Sequence, residues 1–299
     1  MQKSKPIFLG ILLAVIGVIL FSAKAVMVKM AYKYDISSEH LLLFRMSFSV
    51  PFYVVIAGLS KPTNTSKIRK TDYLWIVFFG FIGYYLASYF DFLGLQYIKA
   101  GLERIILFVY PTLVLIISRI FLKNKITKQQ LAAIFITYIG VVITFWQELL
   151  ADNSNIVLGV FLIFLSALTY AIYLVGSGWL IPKFGAVTFT SYAMIVSSLC
   201  IVFQYLIFDR GNLVSYHSEV YILSILMAFF ATIIPSYLIS YAIERIGASH
   251  VAIIGSLGPV STIILAFFLL NESISGLQII GSVVVIFGIY KISRNNKKR

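Results

Sequence analysis

The chain has 299 residues; 60% are hydrophobic and only 12% charged, and mean hydropathy is +0.96. Soluble domains run at about 45–50% apolar and about 25% charged, so a soluble globule, a disordered chain, a coiled coil and a disulfide scaffold are excluded. An integral membrane protein remains, and the +13 net charge, from 24 Lys+Arg against 11 Asp+Glu, has to be read by position.

A bilayer-spanning helix needs about 20 mostly apolar residues. Such segments are predicted at 7–31, 41–59, 73–94, 98–121, 130–146, 156–177, 187–208, 220–242, 247–269 and 276–292. Barrel strands would be about ten residues long with strict alternation. These runs are longer and continuous, so the predicted fold class is an all-α integral membrane protein with ten transmembrane helices.

The first span follows Lys3 and Lys5, lacks a small-residue cleavage pattern, and reads as a retained span rather than a signal peptide. It carries Lys24 deep inside and Lys29 further on. The second has His40 in the loop before it and Arg45 one turn in; the 60–72 loop after it carries Lys61, Lys67, Arg69 and Lys70. In the third, Tyr84, Ser88 and Asp91 follow i, i+4, i+7 and share a face. The fourth holds Glu103 and Arg104 near its start, about 100° apart around the helix, then Tyr110 and a mid-span Pro111. Arg119, Lys123, Lys125 and Lys128 surround the next turn. The sixth repeats the face pattern with Ser166, Tyr170, Tyr173 and Ser177, and Lys183 follows it. Cys200, the single cysteine, lies in the seventh as a packing residue. Ser236, Tyr237, Ser240 and Tyr241 lie in the eighth and Arg245 follows. The ninth has His250 at its start and a mid-span Pro259, and the tenth runs into a basic tail.

With those spans, 17 Lys and Arg fall on one side, against Lys33, Lys99 and Arg210 on the other. The positive-inside rule then places both termini in the cytoplasm of a cell (plasma or inner) membrane. The basic excess is topology, not a nucleic-acid surface.

Sliding 97–143 onto 245–291, an offset of 148, aligns Ile98 with Ile246, Ala100 with Ala248, Pro111 with Pro259, Gln130 with Gln278 and Gly140 with Gly288. The halves 1–150 and 151–299 thus read as two five-span repeats. An odd span count inverts the second relative to the first. Inverted repeats are a construction of secondary transporters, with the substrate site near mid-bilayer between the halves.

The second half reads Arg245-Ile-Gly-Ala-Ser-His-Val-Ala-Ile-Ile-Gly-Ser-Leu-Gly-Pro259, then Leu270-Asn-Glu272-Ser-Ile-Ser-Gly276, then Gly281 and Gly288. This resembles the EamA repeat of the drug/metabolite transporter superfamily, over essentially the whole chain in two copies. The first copy departs from it, with Asn124 and Lys125 where the family commonly places an acidic residue. The resemblance implies ten helices, cytoplasmic termini and a central cavity lined mainly by helices 1, 3, 4, 6, 8 and 9. It also implies export or exchange of amino acids, metabolites, nucleotide-like compounds or drugs.

Ionisable residues inside a membrane are costly and are functional candidates by default. Lys24, Arg45, Asp91, Glu103 and Arg104 all fall toward the outer half. Their mates in the second half, Tyr173, Ala193, Ile239, Val251 and Ala252, carry no charge. Each charge has a plain alternative: Lys24 and Arg45 can snorkel, Glu103 can pair with Lys99 at i−4, and Asp91 can form a structural pair with Lys24 or Arg45. The functional alternative is a net-positive pocket holding a carboxylate or phosphate. Asp91 or Glu103 would then neutralise a cation, hold an amine or carry a proton. Tyr84, Ser88, Tyr110, Tyr170 and Tyr173 are its predicted amphipathic lining. Pro111 and Pro259 are predicted to kink their helices, as hinges or as purely structural bends.

No HExxH, Cys cluster, carboxylate pair at metal spacing or phosphate-binding loop occurs. No catalytic residue, metal or cofactor is therefore expected, and an intramembrane enzyme is the disfavoured class. The expected function is a secondary transporter of a small zwitterionic or anionic metabolite, with amino-acid or related metabolite export first. Facilitated exchange of a phosphorylated or nucleotide-like compound is the alternative. Expected partners are a small-molecule substrate and lipid, with proton coupling open, no nucleic acid, and a working monomer.

Overall fold

Inside a bilayer no water can satisfy backbone N–H and C=O groups, so a chain this apolar must close them within helices. The computed structural model describes residues 7–98, 103, 106–144, 146, 156–208, 211–270 and 274–295, and all regular structure among them is helical. In chain order the main helices are α1 (Ile7–Tyr32), α2 (Ser38–Leu59), α3 (Lys70–Tyr97), α4 (Tyr110–Phe121), α5 (Lys128–Thr144) and α6 (Ile156–Phe184). Then follow α7 (Ala186–Phe208), α8 (Ser218–Ile246), α9 (Ala248–Ile254), α10 (Leu257–Leu270) and α11 (Gly276–Asn295).

Seven stretches are long and apolar enough to cross a membrane: α1, α2, α3, α6, α7, α8 and Ala248–Leu269, which holds α9 and most of α10. α4, α5 and α11 contribute shorter apolar stretches. The 26 residues of α1 extend about 39 Å at 1.5 Å per residue, more than a hydrocarbon core of about 30 Å. Such a helix crosses at a tilt or projects beyond the membrane.

Side-chain placement matches that solvent. Phe8, Phe161, Phe203, Phe208, Phe268 and Phe287 face outward, while Ser22, Ser166, Ser177, Thr190 and Ser224 are buried. Lipid-facing surface needs no polar cover, and buried hydroxyls find partners in their own helices. Ser22 donates to the Val18 carbonyl at 2.8 Å, Ser177 to Tyr173 at 2.7 Å and Ser224 to Val220 at 2.7 Å.

The helices pack in a definite set of pairs: α1 on α8, α3 on α6, α2 on α7, α5 on α11, α1 on α10 and α4 on α6. The α5–α11 crossing is set by glycines. A Cβ on Gly140 would come 2.7 Å from Val285 Cγ2 and 2.8 Å from the Gly281 carbonyl oxygen; one on Gly288 would come 2.7 Å from Thr137 Cγ2. Only hydrogen at these positions lets the two backbones approach this closely.

Three features differ from expectation. First, α6 continues to Phe184, well past 177, and Gly185 alone separates it from α7. Gly185 has φ of 81°, a conformation glycine adopts without strain, so the chain reverses in one residue. Second, His40 is not in a loop. Ser37 caps α2 by accepting the His40 N–H at 3.2 Å, which draws His40 into the first turn. Its ring is buried against Tyr205 and Tyr216. Third, the two mid-span prolines do not kink continuous helices. Turns at Phe108–Val109 and Gly255–Ser256 break the chain, and Pro111 and Pro259 lie in the first turn of the helices that restart there. A first-turn proline forfeits no intrahelical bond, which is why the breaks fall just ahead of it.

α3 and α8 each contain a π-helical turn, at Phe81–Leu86 and Phe229–Ile233, starting 148 residues apart. At the far end of α3, Asp72 accepts the Arg69 N–H at 2.9 Å and the Lys183 ammonium at 2.8 Å, tying this helix to the end of α6.

Candidate functional site

A cavity of about 130 Å³ opens where both π turns and both helix breaks meet. The π turn of α3 contributes Gly83 and Tyr84, and that of α8 contributes Ala231 and Thr232. The breaks contribute Phe108 and Tyr110 on one side and Gly255, Gly258 and Pro259 on the other. π turns often mark functional sites because they release backbone groups from the α ladder and re-aim side chains.

The charged wall comes from three helices. Lys24 of α1 forms an ion pair with Asp91 of α3; their side chains are 15% and 1% exposed. Arg45 of α2 is 3% exposed and donates from Nη2 to Ser88 Oγ at 2.9 Å. Its guanidinium carbon lies 4.8 Å from the centre of the Phe92 ring, a cation–π contact. Lys24 is eight residues from the Tyr32 end of α1, Arg45 seven from the Ser38 end of α2, and Asp91 six from the Tyr97 end of α3. At 1.5 Å per residue all three lie about 9–12 Å in from those ends, at one level.

Of the residues singled out from sequence, Lys24, Arg45, Tyr84, Ser88, Asp91, Tyr110, Tyr170 and Pro259 line this cavity. Tyr84 sits within the π turn and Ser88 and Asp91 in the α-helical turns that follow it, and all three face the cavity. Three expected residues are elsewhere. Tyr173 is buried against Gly83, where a Cβ would overlap its ring, and meets Tyr84 edge-to-face at 4.8 Å between centroids. The missing side chain of Gly83 draws Tyr173 into the α3–α6 contact and off the cavity wall. Glu103 is fully buried but is not among the lining residues; it lies within electrostatic reach of Lys29. A continuous helix would put Glu103 and Tyr110, seven apart, on one face, but the turn at Phe108–Val109 breaks that phase. Pro111 packs away from the cavity. Arg104 lies outside the described residues.

Some contacts around the cavity come from residues that were not among the site candidates. Lys29 donates to the Leu95 carbonyl at 2.7 Å, and Ser22 bridges α1 to the Gly258 carbonyl at 3.2 Å. Phe92 is the cation–π partner of Arg45, and its i+4 spacing from Ser88 is a signal that would have found it. The α8 hydroxyls are spent between helices: Ser236 on Tyr53 at 2.8 Å and Tyr237 on Ser191 at 2.7 Å. Among the described residues no three His, Cys, Asp or Glu side chains gather as metal ligands.

A helical membrane protein with this central polar cavity can be set beside known proteins. A family model described as the EamA-like transporter family matches residues 8–146 and again 157–294. The chain belongs to the EamA-like transporter family. Among its relatives, the "Uncharacterized transporter YcbK" of Bacillus subtilis (strain 168) is 28% identical, covering 99% of this chain and 98% of that one. The "Uncharacterized transporter YyaM" of the same organism is 26% identical over 84% and 82% of the two chains. An "Uncharacterized transporter" of Archaeoglobus fulgidus is 28% identical over 88% and 92%. A solved crystal structure superposes with a TM-score of 0.76, covering 97% of this chain and 98% of that one; at 13% identity it speaks to the fold alone. The EamA-family chain is thus a multi-pass membrane transporter.

Proposed function

We propose that this EamA-family protein is a secondary transporter that moves a small zwitterionic or anionic metabolite by alternating access, with export of an amino acid or related metabolite as the first reading. The observation that carries it is the cavity, where Lys24, Asp91 and Arg45 are gathered beside tyrosines at the junction of the two broken helices. Buried charges at such a junction are expensive and mark it as a functional candidate by default. Lys24 and Arg45 would hold the anionic group, and Asp91 would balance the excess or hold an amine.

Two inverted five-helix halves, 1–150 and 151–299, give this cavity its architecture in the proposal. Exchanging the halves carries α1–α8 onto α6–α3 and α1–α10 onto α6–α4, and returns α2–α7 and α5–α11 to themselves. The matched π turns and matched breaks support the same relation. Alternating access would then be one half rocking against the other about the fixed site, with the Pro111 and Pro259 breaks as hinges. The basic loops support a cell membrane with both termini cytoplasmic. Asp91 and Glu103 are the groups through which a proton gradient could couple.

The test is a thermal-stability screen of the purified protein against amino acids, carboxylates, phosphorylated metabolites and nucleotides, followed by uptake of the hits into proteoliposomes. A ligand of the folded state raises the melting temperature. Stabilisation by an amino acid or carboxylate, with saturable uptake, is the expected result. Selective stabilisation by phosphorylated compounds would move the assignment to the exchanger reading. Hits that are never taken up would sink the transport mechanism.

A further inference from the structure

We infer that Arg45 is the docking group for the carboxylate of a monoanionic substrate with an aromatic or branched apolar body, the Lys24–Asp91 pair standing beside it as a neutral strut. This rests on the transport reading above and narrows its substrate class to the anionic member, placing amino acids second and assigning Lys24 to Asp91 and not to the substrate. Among the described residues three charged ones line the cavity, and of these Lys24 and Asp91 form a direct ion pair. Arg45 is left with a hydroxyl and an aromatic face but no carboxylate in ion-pair contact among the described residues. Its Nε is buried and makes no hydrogen bond among the described residues.

The surroundings hold the guanidinium ready. Ser88 fixes one terminal nitrogen and the Phe92 ring lies against the guanidinium carbon, so the planar fork has little freedom. Such a fork matches a carboxylate with two parallel N–H bonds, which a lysine cannot reproduce. The vacant Nε–H is a donor that such a ligand would satisfy. In a low-dielectric cavity the favoured ligand is also the one that brings total charge to zero. Counted over the described lining residues, a monocarboxylate does so. A zwitterion leaves the excess positive charge in place, and its ammonium would have to compete with Lys24 for Asp91. A phosphate dianion overshoots to a net negative site. Phe21, Tyr84, Phe108, Tyr110 and Tyr170 line the rest of the cavity, a wall suited to a ring or a branched chain.

The experiment uses the full chain in detergent and three probes sharing one ring: benzoate, phenylalanine and phenyl phosphate. Melting temperatures are measured across probe concentration at pH 7. Benzoate should stabilise at the lowest concentration of the three. Arg45→Gln should weaken benzoate binding about tenfold or more, and Arg45→Lys should weaken it despite keeping the charge, because the fork is lost. Lys67→Ala, on an exposed loop, serves as the control and should bind as wild type. Phenylalanine or phenyl phosphate stabilising better than benzoate overturns the inference, as does the failure of any carboxylate probe to bind. Undiminished benzoate binding by Arg45→Gln, or by Arg45→Lys if Arg45→Gln does not fold, also overturns it. Proteoliposome uptake separates the two proposals. Arg45-dependent binding without uptake defeats the transport reading and leaves the docking site, whereas uptake indifferent to Arg45 does the reverse.

Discussion

Lys24 and Asp91 offer the sharpest energetic test, because their side chains are 15% and 1% exposed and they meet inside the helix bundle. Removing one partner of a buried pair strands the other charge, at a cost of about 3–5 kcal/mol. A Coulomb check agrees: two charges about 4 Å apart at an effective dielectric near 20 attract by about 4 kcal/mol. The two singles should not be equal. Lys24→Met strands the almost fully enclosed Asp91 and belongs at the upper end, about 5 kcal/mol. Asp91→Leu strands Lys24, which keeps some exposure and a long flexible stem, and belongs near 3 kcal/mol. The double variant leaves apolar groups of similar volume at both positions, so it should be more stable than the two singles added together, short of wild type by whatever attraction Asp91 lends the buried Arg45. Reversible unfolding in mixed detergent and dodecyl sulfate micelles, followed by tryptophan fluorescence, gives the three differences. If the double variant is as unstable as the singles added together, the two residues do not compensate each other and the strut is wrong.

Other expectations follow from packing and backbone. Gly83→Ala should destabilise by about 1–3 kcal/mol in the same unfolding assay, since its Cβ would overlap Tyr173, whereas Gly58→Ala, with open space around it, should be neutral or stabilising by up to about 1 kcal/mol. Gly247 also has open space but φ of 82° and ψ of 156°, so Gly247→Ala should lose about 1–3 kcal/mol from backbone strain alone. Asp72→Ala removes both the Arg69 N–H bond and the Lys183 partner and should cost about 1–2 kcal/mol, and a wild-type melting curve would dismiss that tie. For topology, in a Cys200→Ser background, Lys67→Cys should resist an impermeant thiol reagent in intact cells while Val214→Cys reacts; the opposite pattern would reverse the orientation.

Helix length and hydropathy made most of the spans legible, because a bilayer imposes one length on every crossing. The Tyr84–Ser88–Asp91 face was legible for a similar reason, since the three residues lie in or just beyond one turn and keep helical phase. Glu103 and Tyr173 mark where this reasoning stops. An intramembrane charge recommended the one and helical spacing the other, but a two-residue break lies between Glu103 and the cavity-lining Tyr110, and a glycine on a neighbouring helix captures Tyr173. Neither cause leaves a trace in hydropathy. Lys29 was visible as an intramembrane charge, but its carbonyl partner on α3 emerges only from the packing of helices distant in sequence. The Lys24–Asp91 partnership was one of several pairings the sequence allowed, and three-dimensional proximity selected it.

The π turns at Phe81–Leu86 and Phe229–Ile233 also act as phase shifters. Each accommodates a residue that an ideal α ladder would not, so the two ends of α3, and of α8, are set about 100° apart from where one uninterrupted helix would hold them. The early part of α3 can therefore keep Asp72 and Ile76 buried in helix contacts while its late part turns Ser88 and Asp91 toward the cavity. Deleting one residue within 81–86 would leave the span nearly as long and as apolar as before. It would nevertheless swing the carboxylate away from Lys24, making this stretch intolerant of a length change that hydropathy would score as silent.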